Sequence, residues 1–554
     1  MRRLSVRLAI VAVAGLVAAQ AAFAKAAVIV RGKRVTIHNG DLARVFDVSH
    51  GLRTVSIRNR ITGTKFDVDS ADFRLKLVDG PELAATDFVV CKVVRDVDGP
   101  GNHARLKFRL EHRDLALGVD VTYEIADLDF FLRKRLHIRA LGETSPTLDW
   151  CNVDELSGDF DVSVGGFGQP AFVNEEMFVG LEYPAGYTQV EKSDDGTTAI
   201  RLRHYPGKVI GEEPIASRSA VLGVSGRDWI AARFAKYLDG IRQPPRSFLH
   251  YNSWYDIRRR EMSTQRFVEA FRILKARLVD PFGVRLMAFA PDDGWDDRTG
   301  LWRVDPKLFP DGFGPLVRTL EAQGTRLGLW MPLTGCRVNK QWGVERGFEP
   351  CVGGGWWCLA APVYNRAIRE ACEERIREGN LSYLKHDFNF FACQGEGHGH
   401  LPDRLHGQEA NVDAYIELLK YEKRLQPDIW LNVTGGMWMS PWWLAYADSV
   451  WIGTDDTGHD RTVPALRLRD RAITYRDIAM HDRYVRRRLQ FPVSGLMTHG
   501  ITYGRYNFLG GKDESLLSFA DNCIMYYGRG VLLKELYISP DLLSDEMWRV
   551  LGES

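Results

Sequence analysis

The stretch Ser382-Tyr383-Leu384-Lys385-His386-Asp387-Phe388-Asn389 decides how this chain is read. Ser382, Tyr383 and Leu384 have the composition of a short buried strand, and a cation, Lys385, and a carboxylate, Asp387, follow at once. Charges at the end of a buried strand are costly to desolvate unless they pair or take part in chemistry. In a (β/α)8 barrel the catalytic groups stand at the C-terminal ends of the strands. Asp387 is therefore a candidate active-site residue, with a structural salt bridge at the strand end as the plain alternative.

Working outward, the chain from residue 245 alternates strands with amphipathic helices. Strands are expected at 248–254, 284–290, 327–331, 429–433 and 449–453, with the quoted stretch as the fourth in order. Helices are expected at 264–277, 316–323, 362–378, 409–425 and 463–485. Two weaker strands near Phe491 and Val531 complete a count that suits a closed parallel barrel. Before the proline-containing boundary Arg242-Gln243-Pro244-Pro245-Arg246 the pattern differs. Short alternating runs such as 34–38, 42–48, 104–110, 119–125 and 130–136 are separated by turn residues, Asn39-Gly40 among them, and no long helical period interrupts them. The expected fold class is α/β: an antiparallel β-sandwich domain over residues 25–244, then a (β/α)8 TIM barrel over 245–554. The sandwich carries no motif, and packing support is its plain reading.

A chain of 554 residues is long enough for two large domains, and 45% apolar with 26% charged residues supplies their cores. Lys plus Arg (73) balances Asp plus Glu (72), which leaves no electrostatic footprint for nucleic acid or an anionic membrane. The 15 Trp and 19 Tyr offer flat faces that suit sugar rings, although a large core uses the same residues. At the N-terminus Arg2, Arg3 and Arg7 precede an apolar run over 8–19 and then Ala22-Phe23-Ala24. That order is a signal peptide over 1–24 cut after Ala24, with a run too short, and broken by Gln20, for a membrane anchor. The mature protein is expected to be exported, periplasmic or secreted. Its eight cysteines permit disulfides there, Cys351 and Cys358 being the easiest pair to close. There is no Cys-x-x-Cys. Gly395-Glu396-Gly397-His398-Gly399-His400 can be read as a metal tract, but a flexible loop over the barrel mouth accounts for it as well. No metal and no cofactor is expected.

Three acidic segments follow even-numbered strands: Asp292-Asp293-Gly294-Trp295 the second, Asp387 the fourth, and Asp455-Asp456 the sixth. Even strands of a barrel contribute to common radial layers, so these acids can meet at one mouth. Two opposed carboxylates suit glycosidic cleavage, one stabilising or attacking the oxocarbenium-like centre and the other protonating the leaving oxygen. Lys385 would keep Asp387 ionised.

These residues resemble the α-galactosidases of glycoside hydrolase family 36 and, more distantly, family 27. Asn252-Ser253-Trp254 resembles the Asn-x-Trp segment of the first strand, and Asp292-Asp293-Gly294-Trp295 matches the Asp-Asp-Gly-Trp sugar-binding motif. The 302–310 segment, Gly328-Leu329-Trp330, the 383–389 nucleophile-like strand and Thr454-Asp455-Asp456-Thr457 follow in the family's order, over about 248–540. The resemblance implies Asp387 as nucleophile and Asp455 as general acid/base, with Asp456 as its rival. It also implies that Asp292, Asp293, Trp330, Lys385 and Gly436 contact the sugar. Two departures stand out. Asn432-Val433-Thr434-Gly435-Gly436-Met437-Trp438 keeps glycines but lacks the Cys and following Arg that face the sugar around its 2-position, which leaves galactose specificity open. The chain also stops soon after Ser544-Asp545-Glu546-Met547-Trp548, where many relatives continue into a β-domain; a truncated product or a compact variant is expected.

The function expected is an exported retaining exo-α-glycosidase, most like an α-galactosidase, acting on an oligosaccharide or glycoside. Neither nucleic acid nor a stable membrane anchor is expected as a partner. A transglycosylase of the raffinose-synthase type and a non-catalytic carbohydrate-binding protein on a decayed barrel are the alternatives.

Overall fold

A computed structural model describes residues 25–98, 102–456, 467–507 and 514–554. The signal-peptide reading of residues 1–24 lies outside them. The chain divides into two compact units, Met1–Tyr237 and Leu238–Ser554. The division falls near the end of the helix Ile230–Asp239, just before the boundary chosen from the Arg242–Arg246 prolines.

The described part of the first unit is built on antiparallel sheets. Five strands, Ala27–Arg31, Arg34–His38, Leu42–Asp47, Arg53–Asn59 and Lys65–Ser70, form a meander, followed by a nine-stranded and a seven-stranded sheet. The strands form where the alternation predicts: along Leu42–Asp47 every second side chain is buried. In the nine-stranded sheet Val121 stands opposite both Phe108 and Leu136, so one apolar row crosses three strands. An ionic group is buried here as well. Arg44 donates to both oxygens of Asp154 at 2.7 and 2.8 Å, and Lys134 Nζ lies 2.9 Å from Asp72 and from Asp154. Two cations against two carboxylates cancel, which is the condition under which such burial is tolerated.

The second unit is the parallel one. Its strands are β1 (Phe248–Asn252), β2 (Ala288–Ala290), β3 (Arg326–Trp330), β4 (Tyr383–His386), β5 (Trp430–Val433), β6 (Ser449–Trp451), β7 (Leu496–Met497), β8 (Ile501–Tyr503) and β9 (Leu533–Ile538). They lie in the order β7-β6-β5-β4-β3-β2-β1-β9-β8, every neighbouring pair parallel. The outermost strands, β7 and β8, are joined by Thr498, His499 and Gly500 alone. A connection that short reaches no more than roughly 14 Å, so the sheet curls round until its edges are neighbours. The strand expected near Phe491 is thus two short pieces, and the one near Val531 is β9.

Helices α1 (Thr264–Leu274), α2 (Gly314–Glu321), α3 (Pro362–Gly379), α4 (Arg404–Leu425), α5 (Leu468–His481), α6 (Leu516–Gly528) and α7 (Asp545–Glu553) alternate with the strands. Ser263 Oγ caps α1 by accepting from the Arg266 N–H. α4 begins earlier than the periodicity predicts, because Asp403 accepts from the N–H groups of Leu405 and His406 at 2.8 and 3.2 Å. Among the described residues no helix is long and apolar enough to cross a membrane.

Candidate active site

β4 sorts its side chains by strand parity. Leu384 and His386 share one face; the buried His386 ring contacts the Met331 carbonyl at 2.7 Å and Glu422 of α4 at 2.9 Å. Tyr383 and Lys385 share the other. Tyr383 stacks on His250 of β1, its ring centroid 4.3 Å away, and its hydroxyl accepts from Asn432 Nδ2 at 2.9 Å. Asp387 follows at the strand's C-terminal end.

There a cavity of ≈ 590 Å³, its open mouth included, is lined by Trp254, Asp292, Asp293, Trp330, Arg337 and Lys385. Asp387, Phe388, Thr434, Gly435, Trp451, Asp456, Met497 and His499 complete the lining. The three acidic segments expected to meet do meet, and five of the expected site residues, Asp292, Asp293, Trp330, Lys385 and Asp387, lie on this wall. Asp455 and Gly436 are not among the lining residues; their neighbours Asp456 and Gly435 are.

Asp387 is gripped on both oxygens. Oδ1 accepts from the backbone N–H groups of Phe388 and Gly435, each at 2.9 Å, and Oδ2 accepts from the Trp330 indole Nε1 at 3.2 Å. The Phe388 contact requires a sharp turn: its φ of 49° is left-handed, at a cost of about 1–2 kcal/mol for a residue with a Cβ. Gly435 and Gly436 have separate reasons to be glycine. A Cβ on Gly435 would stand 2.6 Å from Asp387 Oδ1, and one on Gly436 (φ 86°) would stand 2.1 Å from the Asn389 carbonyl oxygen. Gly436 thus serves the backbone packing behind the nucleophile-like strand.

Asp292 Oδ2 accepts from Asn252 Nδ2 at 2.7 Å and from Lys385 Nζ at 3.0 Å. Asp293 points elsewhere, the turn being made by Gly294 with φ 119°. Asp293 Oδ2 accepts from Arg259 at 3.1 Å and Arg337 at 2.9 Å, while its buried Oδ1 has no hydrogen-bond partner among the described residues. His499, stacked on Tyr537 with centroids 4.4 Å apart, likewise presents a buried Nε2 without such a partner.

The electrostatics set the two carboxylates apart. For Asp387 burial acts to raise the pKa, but Lys385, the Thr434 hydroxyl, the Trp330 indole and the Phe388 N–H outweigh it and hold the group below the ordinary carboxylate range. For Asp456 the balance reverses. Loss of water, with the charges of Asp387, Asp292 and Asp455, raises it against the pull of Lys385. Lys385 itself is desolvated, yet Asp292, Asp387 and Asp456 together push its pKa above the ordinary lysine value. Burial also keeps His499 neutral, well below its ordinary value, with Arg476 and Lys385 adding to the effect.

The segment after β6 is held from α5. Arg476 donates to the Thr454 hydroxyl and to the Asp455 carbonyl, Tyr475 accepts from the Asp455 N–H at 3.3 Å, and Tyr255 donates to the Asp456 carbonyl at 3.3 Å. Burial and the charge of Arg529 lower the Arg476 pKa to about 10.

Arg337, Phe388, Thr434, Trp451, Met497 and His499 are cavity residues that the sequence did not single out. Arg337 sits in the irregular loop after β3 and His499 in the β7–β8 connection, where no period marks a direction. The positive φ of Phe388 is invisible in its identity.

The sequence permits disulfides, with Cys351 and Cys358 as the easiest pair to close; in the structure all eight cysteines are free. Among the described residues one group of metal-ligand type converges, Cys358, Cys393, His398 and His400, and none of the four lines the cavity.

No protein-family model matches the sequence, and no curated protein does. Solved structures do. The galactosidase domain of the α-galactosidase–sucrose kinase AgaSK is 13% identical, with a TM-score of 0.68 over 95% of this chain and 85% of that one. The GH36 α-galactosidase AgaB from Geobacillus stearothermophilus is 13% identical, with a TM-score of 0.69 over 95% of this chain and 85% of that one. An α-galactosidase from Lactobacillus brevis is 12% identical, with a TM-score of 0.65 over 94% and 82%. At such identity the likeness is one of fold, and the fold of this chain is that of the GH36 α-galactosidases.

Proposed function

We propose that this protein is an exported α-glycosidase that releases a terminal α-linked sugar, of galactoside type, by double displacement. One observation carries the reading: two carboxylates on one cavity have their acidities moved in opposite directions, Asp387 down and Asp456 up. Such a division of labour is what one base or nucleophile and one acid require at a single pH.

Asp387 is the nucleophile in this proposal. Its Oδ1 is occupied by two backbone N–H groups, which leaves Oδ2, beside the Trp330 indole, as the attacking oxygen. Asp456, kept protonated further up the pH scale, delivers its proton to the departing oxygen and takes one from water in the second step. This moves the acid/base role from Asp455, implied by the family resemblance, to its neighbour. Asp292 and Asp293 accept hydrogen bonds from adjacent sugar hydroxyls, the unpartnered Asp293 Oδ1 being placed to do so. The fold neighbours support the substrate class: GH36 α-galactosidase AgaA variants were crystallised with raffinose and with stachyose.

The test is hydrolysis of aryl glycosides of α-galactose, α-N-acetylgalactosamine, α-glucose and β-L-arabinopyranose, with the first-formed anomer read by NMR. Turnover of an α-glycoside with the α-sugar appearing first is expected, and Asp387→Ala should abolish it while still binding sugar. Inversion at the anomeric centre, or an Asp387→Ala enzyme that still turns over, overturns the mechanism.

A further inference from the structure

The loop that leaves β4 beyond Asp387 carries a second convergence of side chains. Cys393, His398 and His400 lie on it, and Cys358 lies just before α3. One ligand-type atom from each, a sulfur or a ring nitrogen, falls within 4.8 Å of each of the others. Cys393 Sγ stands 3.3 Å from His398 Nδ1, and Cys358 Sγ stands 3.5 Å from His400 Nε2. A tetrahedral zinc, with Zn–S of about 2.3 Å and Zn–N of about 2.0–2.1 Å, spaces a sulfur and a nitrogen ligand roughly 3.5 Å apart. A thiol–imidazole hydrogen bond has a similar length. Two such pairs aimed at one point are what a shared cation needs and what separate hydrogen bonds do not.

The surroundings are those of ligands held in place. His400 Nδ1 lies 2.7 Å from the Leu401 carbonyl. Only a donor satisfies that oxygen, so Nδ1 carries the proton and Nε2 turns a lone pair toward Cys358, the arrangement found behind metal-bound histidines. Each sulfur receives an amide N–H: Gly395 N–H donates to Cys393 Sγ and Asn411 Nδ2 to Cys358 Sγ, both at 3.4 Å. Asn411, on α4, is itself fixed, accepting from the Leu359 N–H at 2.6 Å and donating to the Gly407 carbonyl at 2.7 Å. Both cysteines are fully buried. Two glycines make room: a Cβ on Gly395 would come within 2.4 Å of the His398 ring, and one on Gly407 within 1.9 Å of the Cys393 carbonyl oxygen.

We propose that Cys358, Cys393, His398 and His400 form a structural zinc site. Zinc displaces the two thiol protons to solvent, so two thiolates and two neutral imidazoles give a centre of no net charge, suited to burial. Four protein ligands leave no open position for substrate or water, which makes the role structural. The ion ties the loop after β4 to the segment before α3 and, through Asn411, to α4. The Gly395–His400 tract, which by composition reads as a metal tract or as a flexible loop, supplies two of the four ligands. Cys351 packs against the cluster of Cys358, Ala361 and Cys393, so that under an oxidant such as dioxygen a Cys351–Cys358 disulfide would compete with the metal for Cys358.

The test uses the full-length protein, purified without chelator, incubated with zinc sulfate, dialysed and assayed by mass spectrometry for metal and by thiol titration. One zinc per chain is expected, lost in Cys358→Ser and in His400→Ala. Cobalt substitution should give the visible bands of tetrahedral thiolate-bound Co2+, weakened in the half-buried His398→Ala variant, which leaves the core intact. Removal of zinc by a chelator should lower the Tm by several degrees and open the loop to proteolysis. Cys351→Ser, which removes the disulfide partner but no ligand, should keep its zinc. A wild-type protein with only substoichiometric zinc, a Cys351–Cys358 linked peptide in the unreduced digest, or loss of zinc in Cys351→Ser overturns the proposal.

Discussion

Lys385 Nζ lies 3.0 Å from Asp292 Oδ2, a residue 93 positions away, and not on the Asp387 carboxylate two residues along its own strand. Strand parity points Lys385 into the cavity, where β2 brings Asp292 to it. Lys385 therefore acts on Asp387 through its field while its hydrogen bond holds the pocket wall. This arrangement gives one cation three carboxylates to serve, Asp292, Asp387 and Asp456.

Lys385→Met should consequently move the whole pH profile of kcat/KM. Lys385 lowers the pKa of both Asp387 and Asp456, so its loss raises both, and both limbs shift to higher pH. The rate at the optimum should fall by about 100-fold or more as buried carboxylates lose their counter-ion. An acidic limb that stays where it was would remove Lys385 from the control of Asp387.

The two acids after β6 separate by leaving group. Asp456→Asn should lose about 100-fold or more on substrates with a poorly acidic leaving group and much less on nitrophenyl glycosides, which depart without a proton. Its alkaline limb should vanish. Asp455→Asn should retain both the limb and the leaving-group insensitivity. The reverse pattern would return the proton-donor role to Asp455.

Gly435→Ala and Gly436→Ala should fail in different ways. The first puts a methyl group 2.6 Å from Asp387 Oδ1 and should cut kcat by about 10- to 100-fold with little change in melting. The second forces a Cβ against the Asn389 carbonyl at a left-handed φ of 86° and should lower stability by roughly 1–3 kcal/mol. Equal melting temperatures for the two variants would contradict this division.

Asp296, buried beside the cavity wall, has its pKa pushed up to about 6 by burial, with Asp293 adding to it. A raised carboxyl pKa in the folded state means that the folded protein holds the proton more tightly than the unfolded chain. Stability from this group is present below the unfolded value near 3.9 and is lost as pH rises through about 6. Asp296→Asn escapes that loss, so its melting temperature should exceed that of the wild type at pH 7, by the equivalent of roughly 3 kcal/mol at most. The two should converge near pH 4. A gain of equal size at both pH values would show that the charge is not its cause.

The amino-acid sequence by itself determined the two architectures and the acidic segments that meet. Period-two alternation before residue 238 and strand–helix alternation after it are local consequences of which face must be buried. Asp292 and Asp387 were legible because each stands just past a strand whose parity aims it; Asp293 is its neighbour, and the turn at Gly294 redirects it. Where the backbone leaves the ladder that legibility ends. Asp455 and Asp456 differ by one residue in an irregular segment, and which of them turns inward depends on anchors from α5 and Tyr255. Arg337 reaches Asp293 across 44 residues of chain, and Lys385 finds Asp292 across strands, pairings that only the parallel register creates. The cysteine and histidine cluster is drawn from Cys358 to His400, with Asn411 behind it. The Gly395–His400 tract offers the two histidines, but spacing does not join them to the cysteines, because the four become neighbours only when α3 and α4 pack beside β4. Local sequence sets a side chain's direction wherever hydrogen bonding is regular; in loops direction is set by distant partners, and those partners exist only in the folded chain.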